Sequence, residues 1–332
     1  MKVLFIGGSG LISTAVSELL MEEDFDLYLL NRGNNNSGLP KGIKYLIGDI
    51  NKEKEVKELI EDEHFDVIVD WIAFTKEHVM RDYRLFKGHT NQYIFISSAS
   101  AYYKPILSYP ITEEIPLGNK YWEYSDNKRL CEEYLTSIID DSFNITIIRP
   151  SHTYNDDKIV SVIKSWSDPY TIIDRLLKED KIIIPGDGTS LWTLTYNQDF
   201  AEAFKKVLGN KKTFGETYHI TSDFVYTWER INEIICENLG VKPNVIHIPT
   251  DFIVKHAPFL TGELLGDKHW SLIFDNSKIK EIASNFKSST SYEEIAPKAI
   301  KRILKNKELQ TIDEGFNEWY NRLIKDYEIS LK

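Results

Sequence analysis

The sequence predicts an α/β fold, with a doubly wound parallel sheet of the Rossmann type and a smaller C-terminal α/β annex. Three observations predict it. Short apolar runs alternate with helical patterns through the first half of the chain, the runs lack period-2 alternation, and the first run enters the glycine turn FIGGSGLIS at residues 5–13. Runs without that alternation are typical of strands covered on both faces, and strand–helix alternation is typical of a parallel sheet.

The elements follow from these patterns in chain order. Strands are predicted at residues 2–6, 27–31, 43–47, 66–72, 93–97 and 145–148, with helices at 11–21, 52–62, 78–87 and 122–139. After Pro150 the predicted elements are a partial helix within 158–178, a strand-turn-strand over 182–196, helices at 200–208 and 228–239, a strand at 217–221 and a capped helix at 278–283. We place the domain boundary near residue 155, between residues 1–155 and 156–332, and expect elements of the second part to return to the first domain.

Composition and charge exclude several classes of protein. The chain has 332 residues, of which 42% are hydrophobic, and these are enough to build a packed core. Its formal net charge of −11 argues against nucleic acid as the main partner, because phosphate binding needs clustered lysine and arginine. Cys131 and Cys236 lack metal-type spacing and are predicted to be reduced core residues, so no metal site is expected. Residues 3–6 are too short for the apolar region of a signal peptide, and we expect no membrane segment and a soluble, cytoplasmic protein.

The glycine turn predicts a site for a dinucleotide pyrophosphate. Gly7 would make the turn, Gly10 would allow close approach of the ligand, and Ser13 occupies the place of the usual third glycine. Backbone N–H groups and the positive end of the following helix favour an anion there. The residues expected to bind the cofactor at this turn are Gly7, Ser9, Gly10, Leu11 and Ile12.

The ends of the second and third strands bear on the choice of nucleotide. Sites that prefer an unphosphorylated ribose place Asp or Glu after the second strand, whereas this chain has Asn31 and Arg32. A guanidinium can pair with a 2′-phosphate, so NADP is favoured over NAD, although a solvated loop charge also fits Arg32. Asp49 and Ile50 are placed to flank an adenine, and a plain solvated loop end is an equal alternative.

A phenol and an ammonium stand four residues apart in the segment YSDNK. At this spacing Tyr124 and Lys128 project from one face of the predicted helix. A nearby ammonium favours the phenolate and lowers its pKa from about 10 towards neutrality, which makes Tyr124 a usable acid and base. An ordinary exposed helix pair is the alternative reading. With the glycine turn, the pair indicates oxidation or reduction of an alcohol or ketone by a nicotinamide cofactor.

These segments, in this order, resemble the extended and atypical short-chain dehydrogenase/reductases. The resemblance is strongest to the branch of NAD(P)-dependent epimerase/dehydratases that includes the chloroplast stem-loop-binding proteins. It covers nearly the whole chain and is carried by GGSGLIS, LNRG, VDWIAFT, ISSASAYY, YSDNK, RPSHTY and PGDGTSLW.

The resemblance implies roles for individual residues. Ser98 would donate a hydrogen bond to the substrate oxygen, with Ser100 as a second candidate, and Lys128 would also hold the nicotinamide ribose. Ala73 and Pro150 would border the cofactor. His152 stands where relatives carry a substrate-contacting Asn, although a satisfied buried histidine fits equally well. Relatives often dimerise through the helix that carries the Tyr-Lys pair, which implies a homodimer.

Two departures from the family pattern bear on the substrate. Trp192 stands where many nucleotide-sugar epimerases have an arginine that grips the diphosphate, and Ala99-Ser100 replace the Asp-Glu pair of sugar-nucleotide dehydratases. A 4,6-dehydration is therefore not expected, and a nucleotide-diphosphate substrate is in question. Trp192 can stack on a sugar ring, although a buried core aromatic is the commoner role.

The expected activity is that of an NAD(P)-dependent oxidoreductase or epimerase acting on a sugar-like small molecule. Sequence alone does not separate an epimerase, which retains its cofactor, from a reductase, which releases it. Two rival interpretations are an RNA-binding protein that uses the fold as a scaffold and a nucleotide sensor without turnover. The net charge counts against the first, and the presence of Ser98, Tyr124 and Lys128 together counts against the second.

Overall fold

A computed structural model of the chain describes residues 1–139, 142–284 and 286–332. The strands are β1 Lys2–Ile6, β2 Asp26–Asn31, β3 Lys44–Ile47, β4 Phe65–Asp70, β5 Thr90–Ile96, β6 Ile145–Pro150, β7 His152–Tyr154, β8 Ile182–Pro185, β9 Leu191–Tyr196, β10 Thr217–Ile220, β11 Val225–Thr227 and β12 Val245–Ile248. The helices are α1 Leu11–Glu22, α2 Glu53–Ile60, α3 Lys76–Phe86, α4 Glu123–Ser137, α5 Tyr170–Leu177, α6 Asn197–Lys205, α7 Trp228–Leu239, α8 Thr250–His256, α9 Thr261–Glu263, α10 Ser277–Ile282, α11 Tyr292–Lys305 and α12 Glu314–Ser330.

The central sheet is parallel and has the order β10-β6-β5-β4-β1-β2-β3. In register, Val3 of β1 lies opposite Leu27 of β2 on one side and Val67 of β4 on the other. The chain order reverses between β1 and β4, and such a reversal leaves a crevice at the carboxyl ends of the strands. The predicted doubly wound fold is confirmed.

Both faces of this sheet are buried. One face packs with α1, α6 and α10 around residues such as Val3, Phe5 and Phe204, and the other packs with α2, α3 and α4 around Leu4 and Phe65. Residues Val3 to Ile6 of β1 are all 0% exposed. Coverage on both faces explains why the predicted strands read as unbroken apolar runs instead of alternating ones.

The chain forms two compact units. The first contains Met1–Thr153, Asn197–Ser222 and Phe274–Ser288, and the second contains the remaining described residues. The first unit is therefore assembled from three separate pieces of chain, and the strand β10 and helix α10 complete its sheet and core.

The strand-turn-strand predicted over 182–196 in the second unit is present as β8 and β9. These two strands do not pair with each other. Strand β8 pairs with β12 in parallel, and β9 pairs with β11 antiparallel. The intervening Gly186 and Gly188 adopt φ of +66° and +75°, a region that favours glycine in the turn between the two strands.

Helices in the second unit are also only partly predicted. The helix expected within 158–178 begins at Tyr170, and the longest helix of this unit, α12, is not predicted at all. Cys131 and Cys236 are free, buried thiols. Among the described residues, we find no helix that combines the length and hydropathy needed to cross a bilayer.

Candidate nucleotide-binding and catalytic site

A bare backbone turn joins β1 to α1 in the first unit. Gly7 and Gly8 have φ of +88° and +102°, a region that side chains other than glycine rarely adopt. A Cβ atom placed on Gly7 would lie 2.6 Å from Cγ2 of Ile72, which is too close for any side chain. The turn therefore presents main chain, with no side chain of its own filling it.

Ser13 ties this turn to the helix. The Gly10 N–H donates to Ser13 Oγ at 2.9 Å, and the same hydroxyl donates back to the Gly10 carbonyl at 3.2 Å. At 2% exposure Ser13 fills the close helix–strand contact in which relatives place glycine. The N–H groups of Leu11 and Ile12, in the first turn of α1, have no acceptor within the helix and are available to an anion.

A cavity of about 280 Å³ opens beside the turn. Its lining brings together six residues that the sequence assigns to the cofactor site, namely Gly7, Ser9, Asn31, Arg32, Asp49 and Ile50. Ile72, which the sequence analysis does not assign, also lines it. Gly10, Leu11, Ile12, Ala73, Lys128 and Pro150 do not line this cavity. A bare glycine turn beside a polar cavity suits the pyrophosphate and adenosine part of a dinucleotide.

The loop after β2 leaves Arg32 available to a ligand. Asn31 Oδ1 accepts from the Gly33 N–H at 2.8 Å, and Asn31 Nδ2 donates to Asn36 Oδ1 at 2.9 Å, so the loop is internally braced. Arg32 is exposed, and within the described ranges no carboxylate lies within ion-pair distance of it. Among the residues that the structure describes, its guanidinium is therefore in no ion pair.

Lys128 on α4 is buried with its ammonium group fixed in place. It is 2% exposed, and Nζ donates to the Ala73 carbonyl at 2.6 Å and the Ile96 carbonyl at 2.7 Å. These carbonyls lie in the turn after β4 and at the end of β5. Burial lowers the pKa of Lys128 to about 8, while the nearby Cys131 and Asp70 act in the opposite direction. At neutral pH the ammonium form therefore still predominates, and it has a third proton to donate.

Tyr124 lies one helical turn before Lys128. Lys128 Nζ is 5.9 Å from the centre of the Tyr124 ring, which also contacts the rings of Phe74 at 6.1 Å and Trp122 at 5.1 Å. The predicted pair thus lies on one side of α4, with its ammonium group and aromatic ring near each other. Lys128 Nζ is also 4.8 Å from the Phe74 ring, so apolar rings surround the charge and strengthen its electrostatic effect.

The two candidate serines differ in exposure. Ser100 is 5% exposed and already accepts from Ser125 Oγ at 2.7 Å. Ser98 is only partly buried, and its hydroxyl lies 2.9 Å from that of Ser100. The Ser100 N–H also donates to Ser98 Oγ at 3.2 Å. Ser98 is therefore the more accessible of the two hydroxyls. Ser100, which is itself bonded to Ser125, contacts the Ser98 hydroxyl from the buried side.

Asp70 at the end of β4 is a buried site residue that the sequence analysis does not assign. It is 0% exposed, and its Oδ1 accepts from the N–H groups of Ile72 at 2.6 Å and Ala73 at 2.7 Å. These two bonds shape the turn that presents the Ala73 carbonyl to Lys128 and sets Ile72 against Gly7. The sequence does contain a signal for Asp70, because an aspartate inside the apolar run VIVDWIA is expected to be buried and therefore to have a specific role.

Glu132 and Arg149 form a second unassigned feature. Arg149 Nη2 donates to Glu132 Oε2 at 2.6 Å, Arg149 Nε donates to Oε1 at 3.0 Å, and Ser97 Oγ donates to Oε1 at 2.5 Å. Both charged residues are buried. Against the cost of burial, the Glu132 carboxylate raises the pKa of Arg149. The network holds α4 to the ends of β5 and β6, and because its members lie on three separate elements, local sequence does not reveal it.

The remaining predicted residues are not gathered in these clusters. Pro150 ends β6, where it lies opposite Ile220 of β10, and His152 is partly buried. Trp192 is 1% exposed and packs on Trp228 with ring centres 5.1 Å apart. Its burial fits the core role that the sequence left open better than stacking on a sugar.

Comparison with known proteins adds to this geometry. The model of the NAD dependent epimerase/dehydratase family matches residues 3–84 and 78–221. The chloroplast stem-loop binding protein of 41 kDa b of Arabidopsis thaliana is 26% identical over 266 residues, which are 76% of this chain and 67% of that protein. The 2'-dehydrokanamycin reductase of Streptomyces kanamyceticus is 21% identical over 301 residues, 86% of this chain and 80% of that protein.

A solved structure shows the same fold. The UDP-glucose 4-epimerase of Bifidobacterium longum, in complex with NAD+ and UDP, superposes with a TM-score of 0.73 at 17% identity. The alignment covers 94% of this chain and 100% of that one. At this identity the likeness concerns the fold alone.

Proposed function

Because the chain belongs to the NAD dependent epimerase/dehydratase family, we propose that it is an NAD(P)-dependent oxidoreductase or epimerase. Its substrate is a sugar-like small molecule that reacts at a hydroxyl or keto group. The observation that carries the proposal is the ammonium of Lys128, fixed by two carbonyls, 5.9 Å from the Tyr124 ring and on the same helix.

Tyr124 is the proton carrier in this proposal. An ionised phenol would be stabilised by the positive charge of Lys128, and the Phe74 and Trp122 rings lie beside the Tyr124 ring. Tyr124 would therefore take a proton from a substrate alcohol, or give one to a substrate ketone. Ser98 would donate to the same substrate oxygen and stabilise its developing charge.

The glycine turn and Lys128 would hold the cofactor. The turn after β1 and the first N–H groups of α1 suit the pyrophosphate, and the third ammonium proton of Lys128 suits a ribose hydroxyl. The bound nicotinamide would supply or accept the hydride.

Arg32 sets the proposed nucleotide preference. The exposed guanidinium has no carboxylate partner in the described parts of the chain, and Asn31 stands where NAD sites place an acid. Both features support NADP over NAD. A bidentate arginine–phosphate contact would supply the discrimination.

The test begins with a panel of aldoses, ketoses and amino sugars assayed with NADP and NAD. Tyr124→Phe should bind NADPH nearly as well as the wild type and lose turnover by at least about a hundredfold, because general acid–base catalysis contributes about that much. Tyr134→Phe, on the same helix, is the control and should keep its activity. Full activity of Tyr124→Phe would overturn the catalytic assignment.

An RNA-binding role is the second candidate, since one relative carries stem-loop binding in its name. The net charge of −11 counts against it. A gel-shift assay with stem-loop RNA at physiological salt should show no retention by this protein. Retention that persists in Tyr124→Phe would favour the scaffold interpretation.

A further inference from the structure

Three serine hydroxyls form a continuous hydrogen-bonded chain beside the candidate catalytic residues. Ser125 follows Tyr124 on α4, and its Oγ donates to Ser100 Oγ at 2.7 Å. Ser100 Oγ lies 2.9 Å from Ser98 Oγ, and the Ser100 N–H also donates to Ser98 Oγ at 3.2 Å. All three serines belong to the first unit. The chain of hydroxyls therefore runs from the helix that carries Tyr124 to the hydroxyl proposed to contact the substrate.

Burial decreases along this chain towards Ser98. Ser125 is 0% exposed and Ser100 is 5% exposed, whereas Ser98 is only partly buried. In the described part of the protein, the Ser125 hydroxyl bonds only to Ser100, and the Ser100 hydroxyl bonds only to Ser125 and Ser98. Of the three hydroxyls, that of Ser98 is therefore the one a ligand can reach.

The protons of the three hydroxyls can be ordered in two senses, because each hydroxyl has one proton to donate. In the first sense Ser125 donates to Ser100 and Ser100 donates to Ser98, so the Ser98 proton remains at the accessible end. In the opposite sense Ser98 donates to Ser100 and Ser100 donates to Ser125, which leaves the Ser125 proton buried without an acceptor. A buried donor without an acceptor is costly, so the first sense is the stable one.

The backbone around Ser100 is fixed from a second direction. Ser100 lies in the short helical turn Ala99–Ala101, and its carbonyl accepts from Asn119 Nδ2 at 2.8 Å. Asn119 is 1% exposed, and its Oδ1 accepts from the Tyr121 N–H at 3.2 Å. These bonds join the turn to the segment just before α4, and they hold the Ser100 hydroxyl against that of Ser125.

We propose that Ser125 and Ser100 are positioning residues, which orient the Ser98 hydroxyl so that it donates its proton to the substrate oxygen. This inference deepens the proposed function and rests on it. Ser98 Oγ accepts from both the N–H and the hydroxyl of Ser100, so both of its lone pairs are occupied and it can only donate to a ligand. A donor that is oriented before the substrate arrives stabilises negative charge on a ketone oxygen without the cost of reorganisation.

Neutron diffraction tests the order of the chain directly, because X-ray structures at ordinary resolution do not show hydroxyl hydrogens. The crystals would contain the perdeuterated full chain, grown with NADP. We expect the Ser125 deuterium to lie between Ser125 Oγ and Ser100 Oγ, and the Ser100 deuterium to lie between Ser100 Oγ and Ser98 Oγ. A Ser98 deuterium directed at Ser100 Oγ would overturn the proposal. This measurement needs no substrate and does not depend on turnover.

Steady-state kinetics with the sugar that the panel identifies as substrate give a second test. Ser98→Ala removes the donor and should lower kcat about a hundredfold, whereas Ser125→Ala leaves it in place but less well oriented and should lower kcat about tenfold. KM and the Kd for NADPH should stay nearly unchanged in Ser125→Ala. Ser137→Ala, an exposed serine of the same helix, is the matched control and should keep the wild-type kcat. An unchanged kcat in Ser125→Ala would contradict the proposal.

A double variant separates positioning from a general structural role of Ser125. If Ser125 acts through Ser98, Ser125→Ala should have no further effect on kcat in the Ser98→Ala background. An equal loss in both backgrounds would mean that Ser125 only supports the helix, and the proposal would be wrong. Full activity of Ser98→Ala would refute the proposed role of Ser98 together with this inference. Loss in Ser98→Ala with full activity in Ser125→Ala would refute this inference alone.

Discussion

Glu132→Gln tests how strongly the buried ion pair holds α4 in place. The carboxylate accepts from Ser97 Oγ at 2.5 Å and from Arg149 through Nε at 3.0 Å and Nη2 at 2.6 Å. A glutamine has similar shape, but its NH₂ group would face a guanidinium that can only donate, and Arg149 would remain buried without a counter-charge. Removing one member of such a pair costs about 3–5 kcal/mol, so we expect the free energy of unfolding to fall by that amount.

Urea denaturation at pH 7, followed by circular dichroism, measures this change. Glu133→Gln is the matched control, because Glu133 is the next residue and pairs with Arg129 at the surface. This variant should lower the free energy of unfolding by about 0.5 kcal/mol. The double variant Glu132→Leu/Arg149→Met removes both charges and should recover much of the lost stability. If Glu132→Gln cost no more than Glu133→Gln, the network would not anchor the helix and the reasoning would be refuted.

Three further predictions concern the nucleotide. Gly7→Ala should weaken NADPH binding, measured by fluorescence, at least tenfold, because its Cβ would collide with Ile72 at a φ of +88°, whereas Gly38→Ala meets no neighbour and should have no effect. Arg32→Gln should raise the Kd for NADPH about tenfold or more and leave the Kd for NADH nearly unchanged; equal effects would refute the preference. NADPH affinity should fall from pH 7 to pH 9 as Lys128, with its pKa of about 8, loses its proton, and Lys128→Met should show no such titration.

The sheet of the first unit could be predicted because burial on both faces leaves apolar runs that local inspection can detect. The same rule explains an error at β5, whose predicted start at residue 93 is later than the observed Thr90. Gln92 is polar but fully buried, and its amide donates to Thr146 and to the Val207 carbonyl, far along the chain. A buried polar residue with distant partners has no local signature.

The residues of the candidate site also fall into two groups, those that local sequence reveals and those that depend on distant partners. The glycine turn and the Tyr124–Lys128 spacing depend on neighbours within one turn or one helix, and local sequence shows them. The bonds from Asp70 to the Ile72 and Ala73 N–H groups are also local, although the sequence analysis does not assign Asp70. The pairing of Glu132 with Arg149 instead depends on how α4 packs against β6. Likewise, the two strands of the 182–196 segment could be predicted locally, whereas their partners, β12 and β11, come later in the chain and could not.

The three-piece construction of the first unit has a consequence for biosynthesis. Strand β10 covers the edge of β6, and α10 with Phe286 closes the core over β1, yet both pieces are translated long after the glycine turn. During synthesis the first unit therefore cannot complete its sheet and core until Ser288 has emerged from the ribosome. Until β10 is made, the edge of the sheet at β6 remains unpaired. A chain stopped near residue 155 would keep that edge exposed and should aggregate, so the unit cannot be produced by simple truncation.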